Sequence, residues 1–295
     1  MDVIKEEFVV AGNSKRSILI DVTFCLKNNN HPVVIFSHGF KGFKDWGPFN
    51  QIAEYFARKG FCFIKFNFSH NGTSVSDPIN FVDLKAFGNN NFCKELEDLS
   101  VVIDWVINSN DLRLDINIKK ISLLGHSRGG AISILKSAEE NRINKIISWA
   151  SPSDLLSRLP VGEKLKLWKN KRVSYIFNSR TRQNMPMYYQ FYQNCIDNAN
   201  RLDIKKVVCN IQIPLLVLHG SADMTVLVDQ AKAIKRWGNE NVHLNIIKGT
   251  DHVFALEPEG FRKFCRDIRR THHIIDSGFS EDLGNESVFK KLGKS

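Results

Sequence analysis

Long apolar runs are missing from this chain of 295 residues. No stretch approaches the roughly 20 consecutive apolar residues that cross a bilayer. Residues 1–10 place two glutamates where the apolar part of a secretory signal would lie. The six cysteines are scattered, with no CxxC pair and no metal-ligand spacing. These absences predict no membrane span, reduced thiols, no metal or cofactor, and a cytoplasmic location.

Acidic residues are in the minority, with 31 Asp and Glu against 41 Lys and Arg and a net charge of +10. The sequence has no zinc-finger spacing, RNP-like stretch or basic heptad helix, so we expect no nucleic-acid partner. The excess is concentrated in residues 153–206, where eleven basic residues face four acidic ones. Such a segment is usually a solvated face. The alternative is a field that attracts a carboxylate-bearing substrate.

Short apolar runs separated by helical periodicity dominate the chain. Two strand-like runs, 7–11 and 17–26, flank a predicted turn. Six further runs follow at 32–39, 61–70, 119–127, 145–151, 213–223 and 242–252. Most are too uniformly apolar to have a solvated face, as in parallel sheets buried on both sides. Helical spacing between the runs predicts an α/β fold, with a doubly wound, mostly parallel sheet and an antiparallel N-terminal edge.

One interval breaks this alternation, because about sixty residues separate two consecutive strand-like runs, 145–151 and 213–223. It contains a predicted hairpin over 172–182 and an amphipathic helix bearing Tyr188, Phe191, Tyr192 and Cys195. Insertions of this length usually form functional lobes. We expect a core of residues 1–152 and 207–275, an inserted cap of 153–206, and an irregular tail of 276–295.

A catalytic serine is predicted from Gly125-His126-Ser127-Arg128-Gly129, which matches the G-x-S-x-G turn. Glycines flank the serine because it occupies a strained backbone conformation, and side chains there would collide with neighbouring elements. The pattern alone occurs often by chance. Here a strand-like run precedes it and a helical pattern follows, which is the setting that the motif requires.

A serine hydroxyl needs a base, and the base needs an orienting acid. Asp223 and His252 follow Ser127 in the order expected for this architecture, each after a strand-like run. All three therefore fall at the carboxyl edge of the predicted sheet. Asp154 is the alternative acid, after the preceding strand. We interpret the remaining histidines of interest as structural: His38, His219, His272 and His273.

Two backbone N–H groups are predicted to stabilise an oxyanion, one from Arg128 and one from Phe40 in the loop after the run 32–39. Because the donors are main-chain groups, the identity of residue 40 should matter less than its backbone position.

The motifs HGFKGFKDW, GHSRGG, HGSAD and GTDHVF together resemble those of serine hydrolases with the α/β-hydrolase fold. Within them the chain is most similar to the cinnamoyl/feruloyl-esterase-like and serine-aminopeptidase-like branch, over roughly residues 15–270. The resemblance implies that Ser127 is the nucleophile, Asp223 the acid and His252 the base, with Phe40 and Arg128 as oxyanion donors. It also implies that residues 153–206 correspond to a cap.

The expected activity is hydrolysis of carboxylic esters of aryl, cinnamoyl or short-acyl type through an acyl-enzyme, on a small-molecule substrate. Peptidase, acyl-aminopeptidase or thioesterase chemistry with the same triad is one alternative, and a non-catalytic binding protein is another. The aromatic residues Phe43, Trp46, Tyr188 and Tyr192 either line the substrate pocket or pack in the core. A homodimer is also left open.

Overall fold

The computed structural model describes residues 2–13, 15–26, 29–108 and 115–254. The strands in these ranges are β1 Val3–Ala11, β2 Ser17–Cys25, β3 His31–Ser37, β4 Cys62–Asn67, β5 Ile116–His126, β6 Ile143–Trp149, β7 Val173–Asn178, β8 Gln183–Tyr188, β9 Leu215–Gly220 and β10 Val242–Ile247. The helices are α1 Phe49–Arg58, α2 Leu84–Gly88, α3 Phe92–Asn108, α4 Arg128–Ser137, α5 Gly162–Lys171, α6 Gln190–Asp197, α7 Ile204–Cys209 and α8 Val228–Trp237.

Eight strands form one sheet in the order β1-β2-β4-β3-β5-β6-β9-β10. The pairs β1–β2 and β2–β4 are antiparallel, and every pair from β4 to β10 is parallel. The predicted mostly parallel sheet with an antiparallel N-terminal edge is therefore confirmed. Because β5, β9 and β10 run in the same direction, the loops that follow them meet at one edge of the sheet.

The central strands are buried on both faces, as their uniform apolarity predicts. All six residues of β4 are buried, and so are all six of β9. Lys65 of β4 is a charged residue buried in this mostly apolar strand. Its ammonium group is bonded to the carboxylates of Asp21 and Asp45. Burial lowers the pKa of Lys65. The two carboxylates offset the cost of placing this charge in an apolar strand.

Helices cover the sheet with the faces that their spacing predicts. In α3 the apolar residues that recur at helical spacing are all buried: Phe92, Leu96, Leu99, Ile103 and Val106. In α4 the spacing of Ala131, Ile134, Leu135 and Ala138 indicates one face: the first three are buried, whereas Ala138, the C-cap, is exposed. The helical spacing of Phe261, Phe264, Cys265 and Ile268 predicts a further helix, and this segment and the tail 276–295 lie outside the described residues.

The interval between β6 and β9 contains helix α5, the two-stranded β7–β8 sheet, α6 and α7. A hairpin is present, but its predicted bounds of 172–182 are wrong, because they contain only β7 and the turn. The second strand is Gln183–Tyr188, so the prediction that Tyr188 belongs to a helix is also wrong. Apolar side chains along the interval attach it to the core, because they belong to the same buried cluster as the sheet: Leu155, Trp168, Tyr189, Phe191, Cys195, Leu202, Ile204, Val208 and Ile211.

No helix among the described residues is long and apolar enough to span a bilayer. The division into core and cap, the homodimer and the cytoplasmic location stay predictions.

Candidate active site

Ser127 forms the turn between β5 and α4, with a φ of 54° and a ψ of −122°. L-residues rarely adopt this conformation. The two flanking glycines make it feasible: a Cβ on Gly125 would lie 2.2 Å from the oxygen of Gly129, and a Cβ on Gly129 would lie 2.2 Å from the oxygen of Ser37. Larger residues at either position would therefore force the turn away from the sheet.

Asp223 and His252 are joined by a hydrogen bond. The carboxylate of Asp223 is buried, and its Oδ2 accepts from Nδ1 of His252 at 2.8 Å. Its Oδ1 accepts from the backbone N–H groups of Thr225 and Val226, also at 2.8 Å. These bonds fix the carboxylate and assign the proton on Nδ1, so Nε2 is the imidazole nitrogen left to act as a base.

The imidazole of His252 lies beside the serine turn. Its ring centroid is 4.9 Å from that of His126, the residue before Ser127, and Nε2 of His126 donates to the backbone oxygen of His252 at 2.9 Å. Within the described ranges, the hydrogen bonds include none between the hydroxyl of Ser127 and His252. Such contacts are commonly long in unliganded enzymes and shorten when substrate binds. The structure thus brings acid and base together next to the turn.

The alternative acid has a different position. The carboxylate of Asp154 is exposed and accepts from the backbone N–H groups of Leu156 and Ser157 at 2.7 and 3.1 Å. It caps a turn at the start of the β6–β9 interval. The geometry therefore favours Asp223 as the partner of His252.

Two other histidines near the sheet edge are buried and bonded to backbone. Nδ1 of His38 lies 2.9 Å from the oxygen of Gly39, and Nε2 of His219 lies 2.8 Å from the oxygen of Val226. Burial lowers the pKa of His38 to about 4 and also lowers the pKa of His219. His38 is therefore neutral at pH 7. His272 and His273 lie outside the described residues.

The loop after β3 lies against the serine turn, as an oxyanion loop requires. A Cβ on Gly39 would be 3.0 Å from Cβ of Ser127. Among the described residues, the backbone N–H groups of Phe40 and Arg128 have no hydrogen-bond partner. Both donors are thus available to a ligand oxygen.

A cavity of about 350 Å³ opens beside Ser127. It is lined by Phe40, Phe92, Ser127, Arg128, Pro152, Leu155, Arg158, Leu159, Pro160, Trp168, Ser174, Ile176, Met187 and Phe191. Its walls are largely aromatic and aliphatic, and its volume suits a small molecule. No group of three His, Cys, Asp or Glu side chains in the described part of the chain is placed to hold a metal ion.

Comparison with known proteins decides the family. The profile of the BD-FAE family matches residues 21–237, well over half of the chain. The chain belongs to the BD-FAE family. With the sheet order described above, it is an α/β hydrolase.

Individual relatives are more distant. A Mycoplasma pneumoniae protein provisionally named esterase/lipase 2 is 30% identical over 104 residues, which cover 35% of this chain and 31% of that protein. The match thus spans about a third of this relative's length. The non-heme chloroperoxidase CPO-A1 of Kitasatospora aureofaciens is 21% identical over 192 residues, covering 54% of this chain and 70% of that protein.

Among solved structures, Est1E from Butyrivibrio proteoclasticus with ferulic acid bound superimposes with a TM-score of 0.70 at 16% identity. The match covers 92% of this chain and 99% of that one. A likeness at this identity shows the fold, and it supports the expected α/β-hydrolase architecture.

The four aromatic residues singled out in the sequence do not line the cavity of this BD-FAE chain. Phe43 is buried, and Trp46 stacks on the ring of His126 with 6.4 Å between centroids. Tyr188 lies against α2, and Tyr192 stacks on a neighbouring tyrosine. A role of these four in substrate binding stays a prediction.

The side chains of Phe40 and Arg128 are in contact, which sequence reasoning missed. The guanidinium carbon of Arg128 lies 4.0 Å from the ring centroid of Phe40 and 4.9 Å from that of Phe92. One guanidinium nitrogen is 3.3 Å from the carboxylate of Glu95, which is 3% exposed. Burial raises the pKa of Glu95. The two predicted oxyanion donors are therefore linked through their own side chains.

Proposed function

We propose that this protein is a serine esterase that hydrolyses carboxylic esters through an acyl-enzyme. The observation that carries the proposal is the 2.8 Å hydrogen bond between Asp223 and Nδ1 of His252, at the sheet edge where Ser127 occupies a strained turn. This acid–base pair beside a serine matches the requirements of nucleophilic catalysis.

In this mechanism the hydroxyl of Ser127 attacks the ester carbonyl while Nε2 of His252 accepts its proton. Asp223 holds the imidazole and stabilises its charged form. The carbonyl oxygen becomes an oxyanion that accepts from the N–H groups of Phe40 and Arg128. His252 then protonates the departing alcohol. A water molecule, activated by the same imidazole, releases the acid and regenerates Ser127.

We infer that the acyl group is aromatic, because of the walls of the cavity. Phe40, Phe92, Trp168 and Phe191 all line it. Rings of this kind pack against a flat aryl or cinnamoyl group by offset stacking and edge contacts. A short acyl group would leave most of the 350 Å³ unfilled. Aryl esters should therefore have lower KM values than acetyl esters of the same alcohol.

A carboxylate on the substrate is the finer part of the proposal. Arg158 lines the cavity and is exposed, whereas the charge of Arg128 is offset by Glu95. Arg158 is thus the cation available to a substrate carboxylate. Half-esters of dicarboxylic acids, compared with the matching diesters on wild type and Arg158→Gln, test this part separately.

The decisive variant is Ser127→Ala, assayed with p-nitrophenyl esters. Removal of the nucleophile should abolish turnover by several orders of magnitude. Ser179→Ala, on an exposed turn, is the matched control and should keep wild-type activity. Retained turnover in Ser127→Ala would reject the proposal.

A panel of ester, thioester and peptide substrates separates the alternatives that share the triad. A peptidase that binds an N-terminal amine needs a carboxylate near the cavity. Among the residues that line it, none is acidic. We therefore expect esters to be cleaved faster than peptides. Failure of every substrate would favour a non-catalytic binding protein.

A further inference from the structure

Strand β7 forms part of one wall of the cavity, and its two faces have different surroundings. Ser174 and Ile176 line the cavity. Between and after them, Tyr175 and Phe177 point the other way and are 61% and 57% exposed. Side chains two apart in a strand share a face. The outer face of β7 therefore presents two neighbouring aromatic side chains to solvent.

The chain around this hairpin carries charge of one sign. No acidic residue occurs between positions 164 and 196. The basic residues of that stretch are Lys164, Lys166, Lys169, Lys171, Arg172, Arg180 and Arg182. Within the described part of the chain, Lys166 is the one member with an ion pair, to Glu163. The stretch thus keeps most of its positive charge uncompensated.

The cations bracket the aromatic pair. Lys171 and Arg172 directly precede β7, and Arg182 lies in the hairpin turn after it, all three exposed. Arg180 of the same turn lies instead over the buried rings of Phe43 and Phe81, at 5.0 and 5.5 Å. From a distant part of the chain, the ammonium group of Lys41 bonds to the backbone oxygen of Phe177 at 3.4 Å. Apolar rings therefore lie between positive charges at both ends of one strand.

We propose that this surface, formed by Lys41, Lys171, Arg172, Tyr175, Phe177 and Arg182 and named here the basic aromatic face, binds anionic phospholipid bilayers. Anionic headgroups attract the lysine and arginine side chains. The rings enter the boundary between headgroups and acyl chains, where aromatic side chains are favoured. Charge alone would also suit a nucleic acid. The paired exposed rings at its centre favour a lipid surface, and the proposal is independent of the serine chemistry.

The charge part of the proposal is tested by co-sedimentation with sucrose-loaded vesicles. The full chain should bind phosphatidylglycerol–phosphatidylcholine vesicles, fail to bind pure phosphatidylcholine, and dissociate as salt is raised. The triple variant Lys171→Gln, Arg172→Gln, Arg182→Gln should weaken binding about a hundredfold. The control triple Lys59→Gln, Lys119→Gln, Lys120→Gln makes the same change in net charge at exposed lysines elsewhere. Equal losses in both triples would overturn the assignment of this surface.

The aromatic part is tested with Tyr175→Ser combined with Phe177→Ser. This variant should lose vesicle binding at a salt concentration at which the wild type remains bound. The control pair Val9→Ser and Ile118→Ser alters side chains that are 57% and 45% exposed in other strands, and it should bind like wild type. Binding to duplex DNA but not to anionic vesicles would overturn the proposal in favour of a polyanion site. Circular dichroism checks that all variants are folded.

Discussion

Helices α4 and α5 have ten residues each and differ in almost every other respect. Helix α4, behind Ser127, buries eight of its ten residues, whereas α5, in the β6–β9 interval, buries Trp168 alone. The same contrast holds for backbone: Gly125 and Gly129 have no room for a Cβ, while a Cβ on Gly162 would meet nothing within 4 Å. The backbone at the sheet edge is thus held by close packing, whereas α5 in the β6–β9 interval exposes most of its side chains to solvent.

The largest expected effect is on kcat, and it distinguishes an aspartate at the sheet edge from one in the β6–β9 interval. Asp223→Asn should lower kcat for p-nitrophenyl esters by about 10⁴, because the imidazole of His252 would lose its orientation and its charge stabilisation. Asp154→Asn, the same change at the start of the interval, should leave kcat within about twofold. Steady-state kinetics of the two variants measure this. The opposite ranking would make Asp154 the acid.

Replacing one glycine in each region with alanine tests whether the serine turn is packed more tightly than the β6–β9 interval. Gly129→Ala places a Cβ 2.2 Å from a backbone oxygen of β3 and should cost at least about 3 kcal/mol of unfolding free energy. Gly162→Ala meets no atom but has a φ of +59°, so it should cost about 1 kcal/mol. Urea denaturation of both variants gives the comparison. Equal losses would mean that the serine turn is no more tightly packed than the interval.

Removal of the aromatic ring of Phe40, at the sheet edge, should lower kcat, whereas removal of the ring of Tyr175, in the β6–β9 interval, should not. Phe40→Ala removes the ring that supports Arg128, and we expect about a tenfold loss in kcat as the oxyanion donors shift. Phe40→Tyr should restore most of it. Tyr175→Ala, which removes an exposed ring, is the control. A raised KM with unchanged kcat in Phe40→Ala would show that Phe40 only lines the cavity.

The smallest expected effect is on the pH dependence of the unfolding free energy. It comes from histidines of the core, because residues 153–206 contain no histidine. Burial lowers the pKa of His126 from 6.5 to about 4, so between these values the unfolded chain binds the proton and the folded chain does not. Its stability contribution is complete above pH 6.5 and is lost as pH falls toward 4. His126→Asn should therefore flatten the rise of unfolding free energy with pH by up to about 1.4 kcal/mol per unit.

A change at Asp98 should have the opposite effect on the pH dependence of the unfolding free energy. Burial raises the pKa of its carboxyl from 3.8 to about 7, so the folded chain holds the proton over this range. Its contribution is present below pH 3.8 and is lost as pH rises toward 7. Asp98→Asn should thus make the rise of stability with pH steeper, opposite in sign to His126→Asn. Urea midpoints at several pH values measure both slopes, and equal slopes in all three proteins would refute the burial argument.

The sequence predicts the sheet well because strand patterns are local. Uniform apolar runs place Ser127, Asp223 and His252 in the segments that follow three parallel strands, β5, β9 and β10. The glycines around Ser127 could be interpreted from the sequence alone, because the backbone can form this turn only if positions 125 and 129 have no side chain. These are properties of neighbouring residues, and no knowledge of distant contacts is needed to infer them.

Contacts between distant segments could not be predicted in this way. Arg128 lies over Phe40 and beside Glu95 because three elements pack together, and nothing in the local pattern of any one of them indicates it. The cavity walls show the same limit. Trp168 and Phe191 line it, while Tyr192, equally aromatic and on the same helix as Phe191, packs elsewhere. Only the direction of each side chain distinguishes them.

Fluorophosphonate labelling followed by peptide mass spectrometry tests most directly whether Ser127, Asp223 and His252 act together. We predict one adduct, on the peptide that contains Ser127, formed quickly in the wild type and at a strongly reduced rate in His252→Gln. An adduct at another serine, or equal labelling rates with and without the imidazole, would contradict the account.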